Sequence, residues 1–403
     1  MTNNKEQMTT PCNPSYHFLH CNTIMKKVNL KGLTLQELEN FALSIGEKKF
    51  RGKQLFDWLY SKEALSFTEM SSLAKSLREK LSKISTINSM KIVDVQESSD
   101  GTRKFLFELE DGKRIESVLI PPRTAFVNPE AKEDEEQKRL TLCISTQVGC
   151  PLDCRFCATG TMGFLRNLTT GEIVDQIFQV KKYSGKRITN VVYMGMGEPL
   201  LNYDNVMKSI EIITTGVGIA ARRITLSTVG LVPQIRQLAD EKRKMKLAIS
   251  LHSLDDEIRK ELIPIANKYK LTELIDAVNY YYQKTKLRPT FEYILFDGIN
   301  DKKEDVQQLI KLSKKIPCKV NIISFHNIEF THPTVIALRL QPTPQAQIEE
   351  FVRKLRESHV TVFVRSSAGE DIDAACGQLA IKAERKKRNS VTPKFRHSKL
   401  KVK

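Results

Sequence analysis

Three rhythms of apolar and polar residues follow one another along the chain. From Thr34 to Leu81 the apolar positions recur at helical spacing: Leu38, Ala42 and Ile45 follow a Thr34/Glu37 capping-box pair, and Leu73, Leu77 and Leu81 repeat at every fourth residue. Residues 103–121 alternate instead, and RKFLFELE and KRIESVLI on either side of Asp111-Gly112 predict a hairpin. Beyond residue 139, apolar runs at 140–146, 190–195, 223–228, 246–252, 290–296, 319–326 and 360–367 alternate with helix-like stretches such as 171–182, 203–214, 272–284 and 303–314. Runs that can be buried on both faces, alternating with helices, predict an α/β fold with a parallel sheet, doubly wound or a full or partial βα barrel. In either arrangement reactive residues gather at the carboxyl ends of the strands. The uncommon residues fall there: Gly197-Glu198, Ser227, Ser250-Leu251-His252, His326-Asn327, and Cys376 in the loop after the seventh run.

These rhythms divide the chain. Residues 1–30 read as a loosely ordered extension, 31–95 as a small helical module and 96–139 as the hairpin with a connector rich in proline and acids. Residues 140–381 form the α/β part, and 382–403 are a basic tail expected to be disordered. In the helical module Lys49, Arg51, Lys53 and Lys62 bracket Trp58; the commoner role of Trp58 and Phe56 is to fill its core, base stacking being the alternative. The formal charge of the 403 residues is +17, and the tail holds ten basic side chains against one acid. The remainder is still basic, which favours a polyanionic partner such as nucleic acid. With 40% apolar residues, no apolar run long enough to span a bilayer and no basic-then-apolar leader, a cytoplasmic protein with a substantial core and no membrane contact is expected.

Half of the eight cysteines fall between Cys143 and Cys157. A disulfide framework suits short exported chains, so metal or catalytic chemistry is the better reading. Cys150, Cys154 and Cys157 form a C-x3-C-x2-C loop after the first strand of the α/β part. Three thiolates at that spacing can ligate three irons of a [4Fe–4S] cluster and leave the fourth iron open. Zinc would normally take a fourth protein ligand from a second cysteine pair, which is missing, although a zinc-stabilised, noncatalytic RNA-binding protein remains an alternative.

A C-x3-C-x2-C loop at that place resembles the radical S-adenosylmethionine (SAM) superfamily, and MGMGEPLLNYDNV is similar to its glycine-rich SAM motif. TLCISTQVGCPLDCRFCATG, RRITLSTVG, LAISLHS and DIDAACGQL, together with the module FRGKQLFDWLY, resemble the RlmN family, from about Leu33 to Leu379. That family methylates C2 of adenine in large-subunit ribosomal RNA and in certain tRNAs. The resemblance implies a partial (βα)6-type radical SAM barrel with a small N-terminal helical accessory domain. It implies a [4Fe–4S] cluster on Cys150, Cys154 and Cys157, and SAM held by Gly197, Glu198, Ser227, Ser250, Leu251 and His252. Where the family usually has tyrosine- or tryptophan-asparagine-proline, this chain has Phe325-His326-Asn327, so that contact falls to His326 or Asn327.

Adenine C2 is an electron-poor carbon that cannot attack a SAM methyl group directly, so a radical route is needed. The resemblance implies that Cys376 first takes a methyl group from one SAM, and that a deoxyadenosyl radical from a second SAM activates it for addition to the base. Glu116, in ESVLIP, would be the general base, and Cys143 would release the product through a transient disulfide with Cys376. The implied partners are large-subunit ribosomal RNA, tRNA, and an electron donor such as flavodoxin or ferredoxin. The same chemistry at adenine C8, as in the related Cfr enzymes, is the second alternative.

Overall fold

The computed structural model describes residues 27–122, 139–331, 339–365 and 367–381. Most of the extension, most of the proline- and acid-rich connector and the basic tail lie outside the described residues.

The first part is helical, as its periodicity predicts. After the short strand β1 (Val28–Asn29) come α1 (Leu35–Ser44), α2 (Phe50–Phe56) and α3 (Lys75–Ile84), and β2 (Ser85–Thr86) returns to pair in parallel with β1. The capping box forms: Glu37 N donates to Thr34 Oγ1 at 3.3 Å and Thr34 N to Glu37 Oε2 at 3.0 Å. Leu38, Ala42, Leu73, Leu77 and Leu81 are buried, as is Phe56. Trp58 stays half-buried, donating from Nε1 to Ser72 Oγ at 2.8 Å with Lys62 over its ring.

Three antiparallel strands follow: β3 (Lys91–Glu97), β4 (Arg103–Glu108) and β5 (Arg114–Ile120). The hairpin of β4 and β5 is the expected one. Strand β3 corrects the expected boundary, because most of it lies inside the segment assigned to the helical module. KIVDVQE has one exposed face and too few apolar residues to show a strand period. The extension also gives way earlier than residue 30, since Leu30 is fully buried.

The α/β part contributes β6 (Thr141–Cys143), the side hairpin β7 (Gln147–Gly149) and β8 (Phe164–Asn167), and then β9 (Asn190–Tyr193), β10 (Ile224–Thr228), β11 (Lys246–Ser250), β12 (Thr290–Leu295), β13 (Lys319–Ser324) and β14 (Val362–Arg365). Helices α4 (Thr170–Ser184), α5 (Tyr203–Ile212), α6 (Val232–Asp240), α7 (Asp256–Leu262), α8 (Leu271–Thr285), α9 (Lys303–Lys315) and α10 (Gln345–Glu357) supply the crossovers. One ten-stranded sheet runs in the order β14-β13-β12-β11-β10-β9-β6-β5-β4-β3. Its strands from β6 to β14 are parallel, and β5 joins β6 antiparallel with Val118 opposite Cys143. This is the mixed α/β architecture, with its parallel array and helical crossovers, that the sequence leads one to expect. Its parallel run begins at β6 and takes a helical crossover before each following strand, so the carboxyl ends of these strands share one edge.

The helical part is fixed onto this array by a buried ion pair. Lys31 Nζ lies 2.6 Å from Asp175 Oδ1 on α4, and Asp175 Oδ2 accepts from Met90 N at 2.8 Å. Gly32 packs against Gly171: a Cβ at Gly32 would stand 2.5 Å from Gly171 N, so both positions need glycine for the backbones to approach. Among the described residues no helix is long and apolar enough to cross a membrane.

Candidate active site

The small β7–β8 hairpin places the three clustered cysteines. Gly149 ends β7 with φ +75°, and a Cβ there would stand 1.8 Å from the Gly163 carbonyl oxygen. Cys150 N donates to that same carbonyl at 3.0 Å, and Cys157 N donates to Cys154 O at 3.0 Å. The loop therefore leaves one strand and closes directly onto the other, turning its thiols toward the carboxyl edge of the parallel sheet.

All three cysteines line one cleft there, together with Gly197, Glu198, Ser227, Ser250, His252 and Cys376. Burial pushes the Cys150 thiol up to about 12, and it raises those of Cys154 and Cys157 as well. No three His, Cys, Asp or Glu side chains among the described residues are arranged to hold a single metal ion. A cubane asks something different, because each thiolate takes its own iron. Three soft donors on one short loop around a cleft meet that demand.

The rest of the lining offers the few directional polar groups expected of a SAM pocket. Gly197 has φ +96°, and a Cβ there would come within 2.4 Å of Gln147 Cβ. Glu198 N donates to Gln147 Oε1 at 2.8 Å, while its carboxylate accepts from Leu200 N and Val229 N, each at 3.0 Å. Burial outweighs these bonds and pushes Glu198 up to about 7. His252 is pushed down to about 3 by burial and then by the nearby Arg259 charge, so its ring is neutral. Its Nδ1 accepts from Ile294 N at 3.0 Å, which leaves Nε2 as the proton-bearing nitrogen.

A smaller cavity adjoins the cleft, and Cys376 and Arg365 belong to both. Cys143 and His326 line the smaller one, beside Val118 and Ile120 of β5. Glu116 shares that face of β5 by strand alternation; it is buried, with Oε1 3.7 Å from Lys104 Nζ. Lys104 Nζ also donates to Asp373 O at 3.3 Å, in the loop that carries Cys376. That loop is held on two further sides: Gly369 N donates to Asp100 Oδ2 and Ser99 N to Asp371 Oδ2, both at 3.0 Å, and Ala158 N donates to Gly377 O at 2.6 Å beside the cysteine loop.

Three expected SAM residues, Leu251, His326 and Asn327, are not among those lining the cleft. Leu251 is fully buried in the core, with its N donating to Glu292 O at 3.0 Å. Asn327 turns its Oδ1 to Glu329 N at 2.7 Å. His326 Nδ1 lies 3.2 Å from Glu370 Oε1 in the Cys376 loop. Arg365 and Glu292 line the cleft without having been singled out in the sequence. Burial works against the Arg365 charge, yet Cys376, Glu292 and Cys143 together hold its pKa above the ordinary value. Each is a charged residue inside an apolar strand run, VFVR and TFEYILF, and that was the signal available.

Comparison with known proteins gives the family of the chain. Residues 28–87 match the model of the ribosomal RNA large subunit methyltransferase N-terminal domain, and residues 144–312 match that of the radical SAM superfamily. A probable dual-specificity RNA methyltransferase RlmN from Flavobacterium psychrophilum is 42% identical over 364 residues, covering 89% of this chain and 99% of the relative. One from Clostridium perfringens is 44% identical over 354 residues, covering 87% and 96%. The crystal structure of a radical SAM methyltransferase from Sphaerobacter thermophilus superposes with a TM-score of 0.76 at 39% identity, covering 87% of this chain and 99% of that one. With two family models in the expected order and relatives matched over nearly their whole length, the chain belongs to the RlmN family of radical SAM methyltransferases, whose chemistry uses a [4Fe–4S] cluster and SAM.

Proposed function

We propose that this chain methylates C2 of adenine in large-subunit ribosomal RNA, and in tRNA as a second substrate, acting in the cytoplasm with an electron donor such as flavodoxin or ferredoxin. The observation that carries the reading is the pairing of two cavities: Cys376 belongs both to the cleft of Cys150, Cys154 and Cys157 and to the adjoining space of Cys143. The names of the relatives, dual-specificity RNA methyltransferases, support two RNA classes.

Cys150, Cys154 and Cys157 hold the cluster; Gly197, Glu198, Ser227, Ser250 and His252 hold SAM. When bound, the two supply a methyl donor and a hydrogen-abstracting carbon radical. Cys376 accepts the methyl group: its sulfur–carbon bond forms as the sulfonium bond breaks, and the thiol proton leaves. Burial raises the pKa of the Cys376 thiol, and Arg365, against the sulfur, opposes that shift and so helps the thiol proton to leave. After the base has been joined to Cys376, the adduct gives back the one electron that SAM cleavage consumed, and Glu116 takes the proton from C2. Cys143, giving up its thiol proton, then forms a sulfur–sulfur bond to Cys376 as the sulfur–carbon bond breaks; the freed carbon takes up a proton to become the methyl group, and an external thiol reductant restores the two cysteines. The target adenine must be splayed out of any helix to reach Cys376, and the basic helical module and tail hold the surrounding phosphates.

The test is mass spectrometry of digested ribosomal RNA and tRNA after incubation with iron-loaded protein, SAM and a low-potential reductant. 2-Methyladenine is the expected product. 8-Methyladenine would transfer the reading to the Cfr-type reaction, and unmodified RNA in the presence of reductive SAM cleavage would overturn it.

A further inference from the structure

Behind the cleft, on the side of Cys154, lies a charge that the proposed reaction leaves unused. Arg259, on α7, is 1% exposed. Its Nη2 donates to Val229 O at 2.6 Å and reaches Ser250 O at 3.4 Å, two residues that line the cleft just beyond β10 and at the end of β11. Its Nε is buried without a hydrogen bond. Among the described residues the opposite charges that act on it are Cys154 first and Asp256 second. Burial lowers its pKa only to about 10, so the guanidinium is charged at neutral pH. The fold keeps room for it: Gly230 has φ +112°, and a Cβ there would stand 2.8 Å from Leu274 Cδ1 and 3.4 Å from Arg259 Nη2.

A buried guanidinium with only carbonyl partners is expensive unless negative charge stands nearby. Before metal is bound the neighbourhood supplies the Asp256 carboxylate, whose Oδ1 also accepts from Leu271 N at 3.0 Å, while His252 is neutral. Once the three cysteines ligate iron they are thiolates, and the cluster with its ligands is a net anion.

We propose that Arg259 is the built-in counter-charge of the cluster, a fixed cation behind Cys154 that favours the reduced state. Reduction adds one electron from the external donor, with no bond made or broken. The negative charge of the cluster grows by one, and a nearby buried cation lowers the energy of that state more than of the oxidised one. Glu198 acts on Cys150 and Cys154 with the opposite sign, so the potential reflects both groups. The inference rests on the cluster and not on which RNA is methylated.

The experiment is a redox titration of the reconstituted full chain under anaerobic conditions, followed by electron paramagnetic resonance of the reduced cluster. Arg259→Gln is expected to shift the midpoint to more negative potential, and Arg259→Lys to restore most of the shift. Asp256→Asn, which keeps an acceptor for Leu271 N, is expected to shift it to more positive potential. It serves as the deciding variant where Arg259→Gln does not fold. Midpoints equal to the wild type in both Arg259→Gln and Asp256→Asn would overturn the inference. So would an Arg259→Gln protein that loses SAM affinity or thermal stability at an unmoved midpoint, since Arg259 would then only brace the two strand ends. A wild-type chain that takes up no iron would sink the reading of the cleft itself, before any midpoint is measured.

Discussion

Cys143, at the end of β6, and Cys376, in the loop beyond β14, line the same small cavity together with Arg365. Burial pushes Cys143 up to about 12, with Cys376 adding to the effect and Arg365 opposing it, so Cys143 rests as a thiol at neutral pH. In the proposed reaction it is needed only for the final exchange. Cys143→Ser keeps the volume and a hydroxyl but cannot form a sulfur–sulfur bond. The expected outcome is that Cys376 is still methylated while RNA turnover falls below one product per enzyme and RNA remains covalently attached to the protein. Denaturing gels and intact-mass measurement check this; repeated turnover by the serine variant would remove Cys143 from the mechanism.

The ion pair of Lys31 with Asp175 gives a prediction about stability. Both side chains are nearly inaccessible, and Asp175 also accepts from Met90 N, so one carboxylate fixes the helical part and the entry to β3 onto α4. Removing one partner leaves a buried charge alone, which typically costs about 3–5 kcal/mol. Asp175→Leu is expected to lower stability by about that amount in urea unfolding. The double variant Lys31→Met/Asp175→Leu removes both charges and is expected to regain most of it. Equal stability of the single and double variants would show that the loss comes from Met90 N and packing alone.

The chemistry of the site was more legible than its enclosure. C-x3-C-x2-C, Gly197-Glu198 and the strand-end serines and histidine depend on residue type and spacing, which the sequence displays directly. The parallel strands were equally plain, because strands buried on both faces leave continuous apolar runs. Strand β3 was hidden because one face is exposed and its partner β4 supplies the packing. Leu251 lies between two residues that line the cleft, yet alternation along the strand end turns it into the core. The clasp on the Cys376 loop was out of reach as well. Asp100 and Lys104 meet Gly369 and Asp373 only through the tertiary fold, and nothing local in their segments marks them.

His326 connects this clasp to pH. It is buried in the small cavity, where Glu370, Arg365, Cys376 and Cys143 are the titratable or charged groups around it. Burial lowers its pKa below the ordinary 6.5, and the Glu370 carboxylate only partly opposes that. The folded state therefore binds a proton on His326 less readily than the unfolded chain does. Its contribution to stability is fully present above about 6.5 and is lost as pH falls through the lower folded value. The cost should fall first on the segment that His326 holds. Hydrogen exchange of residues 369–374, corrected for intrinsic rates, is expected to accelerate as pH falls below about 6.5, the ordinary histidine value. His326→Gln removes the titrating ring while keeping a polar side chain, and should flatten that dependence. The same acceleration in the glutamine variant would assign it to another group, and the His326 contact with Glu370 would then be a fixed strut without a role in the pH response.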